Sequence, residues 1–211
     1  MYDWRNMTEQ QRAKAIEHRR LLHRPLHGPP HFDEPGRHRY HLTAANYQHQ
    51  PIIGQSPDRM TQFSQSLCDL FATDDNELHA WCVLPNHWHV LIGTEDLNAL
   101  LAAIAQLHGR TSFDWNGEED MRGRQCWHRC ADRRIRSEAH FHAVRNYIHH
   151  NPVKHGYVAK WEDWPWSSAS DYLEEVGRET ARALWEQYPI LDMGKGWDDD
   201  EAPPHRGEDP G

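Results

Sequence analysis

A chain of 211 residues is long enough for one domain with a full core, and 37% hydrophobic residues with a mean hydropathy of −0.95 place strongly polar surface around it. No apolar run approaches the roughly 18 to 20 residues that span a bilayer, and MYDWRNMTEQQRAKAIEHRR at the start lacks the apolar stretch of a secretory signal, so a cytoplasmic protein without a membrane partner is expected. The net charge of −9 argues against nucleic acid only until its distribution is read: residues 121–160 hold nine Lys or Arg against two acids, Asp132 and Glu138, whereas residues 161–211 hold four against fourteen.

In chain order, residues 8–23 read as a polar helix with Thr8 at its N-cap, and residues 23–36, rich in Pro, Gly and His, as an extended linker. Residues 1–37 are thus an N-terminal helical extension. The stretch 38–53 opens with strand-like alternation, and Gly54 to Pro57 supply a turn. Arg59 to Thr73 sets Met60, Phe63, Leu67, Leu70 and Phe71 on one helical face. Residues 77–94 read as two strands about a turn at Pro85-Asn86. A second helix is expected from Leu97 to Leu107 behind Asp96, a polar loop over 108–123, and a fourth strand over 126–135. Ser137 caps a third helix that turns Ala143, Val144, Tyr147 and Ile148 inward.

Trp161 to Leu173 adds an aromatic segment and a short helix packed back on the core. Residues 174–211 form a C-terminal extension, whose end, MGKGWDDDEAPPHRGEDPG, has the composition of a disordered acidic tail. The order β-α-β-β-α-β predicts the α+β class: a ferredoxin-like core over residues 38–173, with an antiparallel sheet and helices on one face.

The chemistry concentrates in two segments. In LPNHWHVLIG, residues 84–93, His87 and His89 stand two apart on a strand, so both imidazoles point to one face and can reach one metal ion. In YIHHNPVKHGYV, Tyr147 and Asn151 stand at i and i+4 of a helix. Two imidazoles, a phenol and an amide one turn on are the minimum kit for metal-assisted attack on phosphate. Each has a plainer explanation: a chain with 18 histidines throws up His-x-His by chance, Tyr147 can be a core residue, and Asn151, ahead of Pro152, can simply end its helix. Two neutral nitrogens suit Mn²⁺, Co²⁺ or Ni²⁺ better than Mg²⁺. Cys126 and Cys130, with His128 between them, hint at zinc but lack the further pair that a closed site requires; the four cysteines read as reduced thiols.

LPNHWHVLIG and YIHHNPVKHGYV, followed by DWPWSSASDYL, resemble the two signature segments of the REP-associated tyrosine transposases, within the single-strand transposases that carry a His–hydrophobic–His motif. The resemblance runs in order and spacing over residues 38–173, with Trp88 as the hydrophobic member. It implies that Tyr147 attacks a DNA phosphate to give a 5′-phosphotyrosyl link and a free 3′-hydroxyl. It further implies that His87, His89 and Asn151 hold Mg²⁺ or Mn²⁺, and that the partner is single-stranded DNA with hairpin-forming, REP-like repeats, met by a monomer or a homodimer. Arg133, Arg134, Arg136 and Lys154 are the expected phosphate contacts. Trp161, Trp164 and Trp166 offer base stacking, although packing on the core is the commoner role of such rings. Two other readings stay open: a metal-dependent phosphodiesterase that uses water, and a catalytically silent DNA-binding regulator on the same fold.

Overall fold

The computed structural model describes residues 36–191 and Met193, with Thr8, Gln10, Gln11, Lys14 and Glu17 before them. The elements are β1 (His38–Ala45), α1 (Pro57–Phe71), β2 (Asn76–Val83), β3 (His87–Thr94), α2 (Leu97–Glu118), β4 (Ala131–Arg134), α3 (Glu138–Lys154), α4 (Ala169–Val176) and α5 (Arg178–Gln187). The strands pair antiparallel in the order β2-β3-β1-β4, which is the ferredoxin-like sheet expected from the element order.

Strand β3 is buried at all eight positions because both its faces are covered. Trp88 points to one face, where its indole donates to His108 Nε2 of α2 (3.2 Å) and its ring lies 6.4 Å from that of Phe71 in α1. His87 and His89 point to the other face, against α3: the rings of His89 and Tyr147 are 5.3 Å apart. The two crossover helices therefore share a face as expected, and the third closes the opposite one. The His-x-His motif lies at that second interface.

The structure corrects several boundaries. The strand that opens the stretch 38–53 runs to Ala45, as its alternation predicts, and stops there because Asn46 is fully buried and its amide is spent on Cys126 O (3.1 Å) and Ile53 N (3.2 Å). Gln48 and His49 then take positive φ (53° and 51°), and the chain continues as single 3-10 turns at Tyr47–His49 and Ile53–Gln55.

The loop expected over 108–123 is largely helix, since α2 continues to Glu118. His108 and Trp115 extend its apolar stripe. His108 stacks on Trp127 (4.0 Å, 6° between planes), and Trp115 packs on Phe63 (5.8 Å). This packing outweighs the roughly 1 kcal/mol that each of Gly109 and Gly117 costs a helix. The strand expected over 126–135 shrinks to Ala131–Arg134, because Trp127 is drawn into the core against Phe63 (5.2 Å).

Asn151 does not end α3, which runs through Pro152 to Lys154. Proline in the last turn removes one helical bond, and the end is still closed by His155 N–H on Asn151 O (3.0 Å). The DWPWSS segment clasps the outer edge of β2: Val83 N donates to Trp166 O (2.8 Å) and Ser168 N to Trp81 O (3.0 Å). Helix α4 continues past Leu173, and α5 follows, held by Asn146 Nδ2 on Tyr188 O (2.9 Å) and Leu184 O (3.3 Å).

At the N-terminus, Thr8 Oγ1 accepts from Gln11 N (3.3 Å) and Gln11 Oε1 from Thr8 N (2.9 Å), the reciprocal cap of a helix start. The rest of the expected first helix, the linker before Gly36 and the acidic tail from residue 194 lie outside the described residues. Among the described residues, no helix is long and apolar enough to cross a membrane.

Candidate active site

The site begins with the turn that enters β3. Gly54 N donates to Pro85 O (2.8 Å), and a Cβ on Gly54 would collide with the Pro85 ring, so only glycine allows this close seating. Asn46 N donates to Asn86 O (2.7 Å), which ties the end of β1 to the same turn. Asn86 is oriented by donating its amide to His49 O (3.1 Å), and its Oδ1 therefore faces His87 Nδ1 at 2.7 Å. An acceptor at Nδ1 puts the ring proton there and leaves Nε2 as the lone-pair nitrogen. A partner that sets the tautomer of a histidine in this way is typical of metal ligands.

His87 Nε2 faces Asn151 Oδ1 at 3.1 Å, and Asn151 is fully buried. Two lone pairs at that separation repel unless a cation lies between them. Among the described residues, the Asn151 Nδ2 has no hydrogen-bond partner; turning the amide over would pair Nδ2 with His87 Nε2 and leave Oδ1 as the buried atom without one. The ring of His89 lies 5.0 Å from that of His87, and its Nδ1 meets His41 Nε2 from the neighbouring strand at 3.2 Å. No three His, Cys, Asp or Glu side chains gather as a ligand set among the described residues; the group that faces His87 Nε2 is the amide of Asn151. Two imidazoles and one amide oxygen fit a divalent first-row ion with positions left open for substrate oxygens.

Tyr147 is 1% exposed and sits beside this set, 5.3 Å from the His89 ring and 6.1 Å from that of His41. Lys154 Nζ lies 5.4 Å from its ring centroid. Arg133, on the same sheet face as His41, is close enough to feel the phenol: partial desolvation pulls its pKa down and Tyr147 pulls it back up. Positive charge so placed favours the negative charge that a phenol oxygen develops on losing its proton.

The sequence-derived phosphate contacts thus divide. Arg133 and Lys154 meet at Tyr147. Arg134 points to the opposite sheet face, where its guanidinium is 2.9 Å from His38 Nδ1, and Arg136 is exposed beyond β4. The three tryptophans take the packing role: Trp164 donates to Val83 O (2.9 Å), Trp161 stacks on His149 (5.6 Å), and Trp166 donates to Thr61 Oγ1 (3.0 Å). Cys126 and His128 are turned to separate tasks, the thiol on Asn116 Oδ1 (3.2 Å) and the imidazole accepting from Gln48 N (3.2 Å).

Sequence reasoning missed His41 and Asn86. His41 shares its side of β1 with Thr43, which pairs with His89, but only the register reveals it. Asn86 touches the motif directly, but in the sequence its place beside Pro85 signals only a turn.

Comparison with known proteins supplies the family and the fold. The family model described as "Transposase IS200 like" matches residues 36–151. A REP-associated tyrosine transposase of Escherichia coli K12 is 32% identical over 124 residues, covering 54% of this chain and 61% of that protein. A Haemophilus influenzae protein provisionally named REP-associated tyrosine transposase is 31% identical over 125 residues, with 54% and 69% covered. The match thus spans about three fifths of the E. coli protein. A solved REP-associated tyrosine transposase bound to a REP hairpin shares the fold, with a TM-score of 0.52 at 22% identity over 85% of this chain and 96% of that one. The chain belongs to the IS200-like transposase family, a family of enzymes that act on DNA.

Proposed function

We propose that this protein is a metal-dependent single-strand DNA endonuclease and strand transferase that acts, in the cytoplasm, at hairpin-forming, REP-like repeats. Its catalytic unit is residues 38–173. The observation that carries the reading is the meeting of His87 Nε2 and Asn151 Oδ1 at 3.1 Å beside Tyr147, between β3 and α3.

In this reading the Tyr147 oxygen attacks phosphorus and loses its proton, the bond from phosphorus to the 3′-oxygen breaks, and that oxygen leaves as a 3′-hydroxyl. The 5′-phosphate stays on the tyrosine as an ester. Attack by another 3′-hydroxyl reverses the step, so rejoining needs no nucleotide triphosphate. His87, His89 and Asn151 would hold Mg²⁺ or Mn²⁺, which would supply positive charge to the attacked phosphate. Arg133 and Lys154 take the phosphates nearest the cut, with the exposed Arg136 further along the strand. Tyr147 is buried, with the Lys154 side chain over its ring.

The test pairs metal binding with cleavage. His87→Ala together with His89→Ala removes Mn²⁺ binding in calorimetry and cleavage of a single-stranded hairpin oligonucleotide. The same Mn²⁺ affinity in that double variant contradicts the ligand set.

A further inference from the structure

Four large apolar side chains are exposed among the described residues: Phe113 (67%), Met121 (48%), Tyr157 (44%) and Leu191 (83%). Phe113 is covered by the Arg122 guanidinium, 4.3 Å from its ring. Tyr157 differs from the rest in where it leads. Its ring lies 6.3 Å from that of His155, which in turn lies 5.1 Å from that of His87. An unbroken row of rings therefore runs from a candidate metal ligand to an exposed tyrosine.

That tyrosine is held rigidly. It stacks on Trp164 (5.3 Å, 28°), which is buried and anchored by its indole on Val83 O (2.9 Å). Its backbone N–H is bound to Pro152 O (2.9 Å) after the left-handed turn at Gly156 (φ 73°). Burial of part of the ring raises the pKa of its phenol, so it is neutral at physiological pH. A fixed neutral ring with nearly half its surface in solvent loses little entropy when something stacks on it. Lys154, three residues before Tyr157 in the chain, places its Nζ 5.4 Å from the centroid of the Tyr147 ring.

We propose that Tyr157, with His155 beside it, is a stacking subsite for the unpaired base of the nucleotide next to the attacked phosphate, while Lys154 takes the phosphate between them. The proposal rests on the single-strand cleavage reading above. The occupant is a single-stranded base rather than a duplex, because an exposed ring joined to the candidate site by a row of rings offers a surface on which an unstacked nucleobase can stack.

The test uses a single-stranded hairpin oligonucleotide with 2-aminopurine placed on either side of the cut, and the full-length protein with Mn²⁺. Fluorescence quenching on binding is expected at one of the two positions. Tyr157→Leu removes that quench and weakens binding by roughly tenfold, the lower part of the range for one base–aromatic stack. Tyr157→Trp restores both, which separates a lost ring from a damaged fold. Full quenching in Tyr157→Leu, or failure of Tyr157→Trp to restore it, overturns the proposal. Because quenching needs binding and not chemistry, it reports on the subsite even if Tyr147 makes no covalent link. A covalent link without any quench at either position leaves the cleavage reading standing and removes the subsite.

Discussion

Asn86 does for His87 what His41 does for His89: each meets the Nδ1 side of a ring and fixes its orientation. Loss of such a partner typically lowers metal affinity by about 10- to 100-fold. Asn86→Ala is accordingly expected to weaken Mn²⁺ binding within that range, read by calorimetry, and Asn86→Asp, which keeps an acceptor at Nδ1, to recover most of it. Equal affinity in Asn86→Ala would show that the tautomer is set in some other way. At this scale the sequence was legible where spacing alone decides: His87 and His89 share a strand face, and Tyr147 and Asn151 a helix face, whatever surrounds them. It was silent where the partner comes from another element. His41 reaches His89 across a strand pairing, and Arg133 and Arg134 are separated by the parity of a strand whose neighbours only the fold reveals.

Among the elements, β1 to β3 and the two crossover helices were readable from apolar periodicity, while the errors cluster around Trp127. That ring is stacked by His108 and packed by Phe63 and Trp115, and it both lengthens α2 and shortens β4. No local signal announces contacts so distant in sequence. The same packing has a titration consequence. Burial holds His108 down to about 3, and burial with the nearby Arg145 holds His149 down to about 3. Both are uncharged in the folded chain while the unfolded chain protonates below about 6.5. The unfolded state then binds more protons between those values, so stability is complete above pH 6.5 and is lost as pH falls towards 3, by up to about 1.4 kcal/mol per pH unit for each histidine. Urea denaturation between pH 7 and pH 4.5 should show this decline. It should be shallower by about one proton in His108→Gln, which keeps an acceptor for the Trp88 indole. An identical pH dependence in wild type and variant would mean that His108 is charged in the native protein.

For the whole molecule, a net charge of −9 conceals a basic centre that the fold brings to the site only in part. Arg133 stands by Tyr147 while Arg134 faces the other side of the sheet. In anisotropy titrations over a salt series, Arg133→Ala is expected to reduce the slope of log affinity against log salt by about one phosphate contact, and Arg134→Ala by clearly less. Equal slopes in both variants would place the DNA path elsewhere. All of this serves one claim, that a phenol on α3 takes up the DNA chain. The most direct measurement is the mass of the protein after incubation with Mn²⁺ and a single-stranded hairpin oligonucleotide, followed by peptide mapping. A covalent adduct is expected, carried on the peptide that contains Tyr147 and absent in Tyr147→Phe. Cleaved oligonucleotide without any adduct, or cleavage undiminished in Tyr147→Phe, would contradict the account and point to water as the nucleophile.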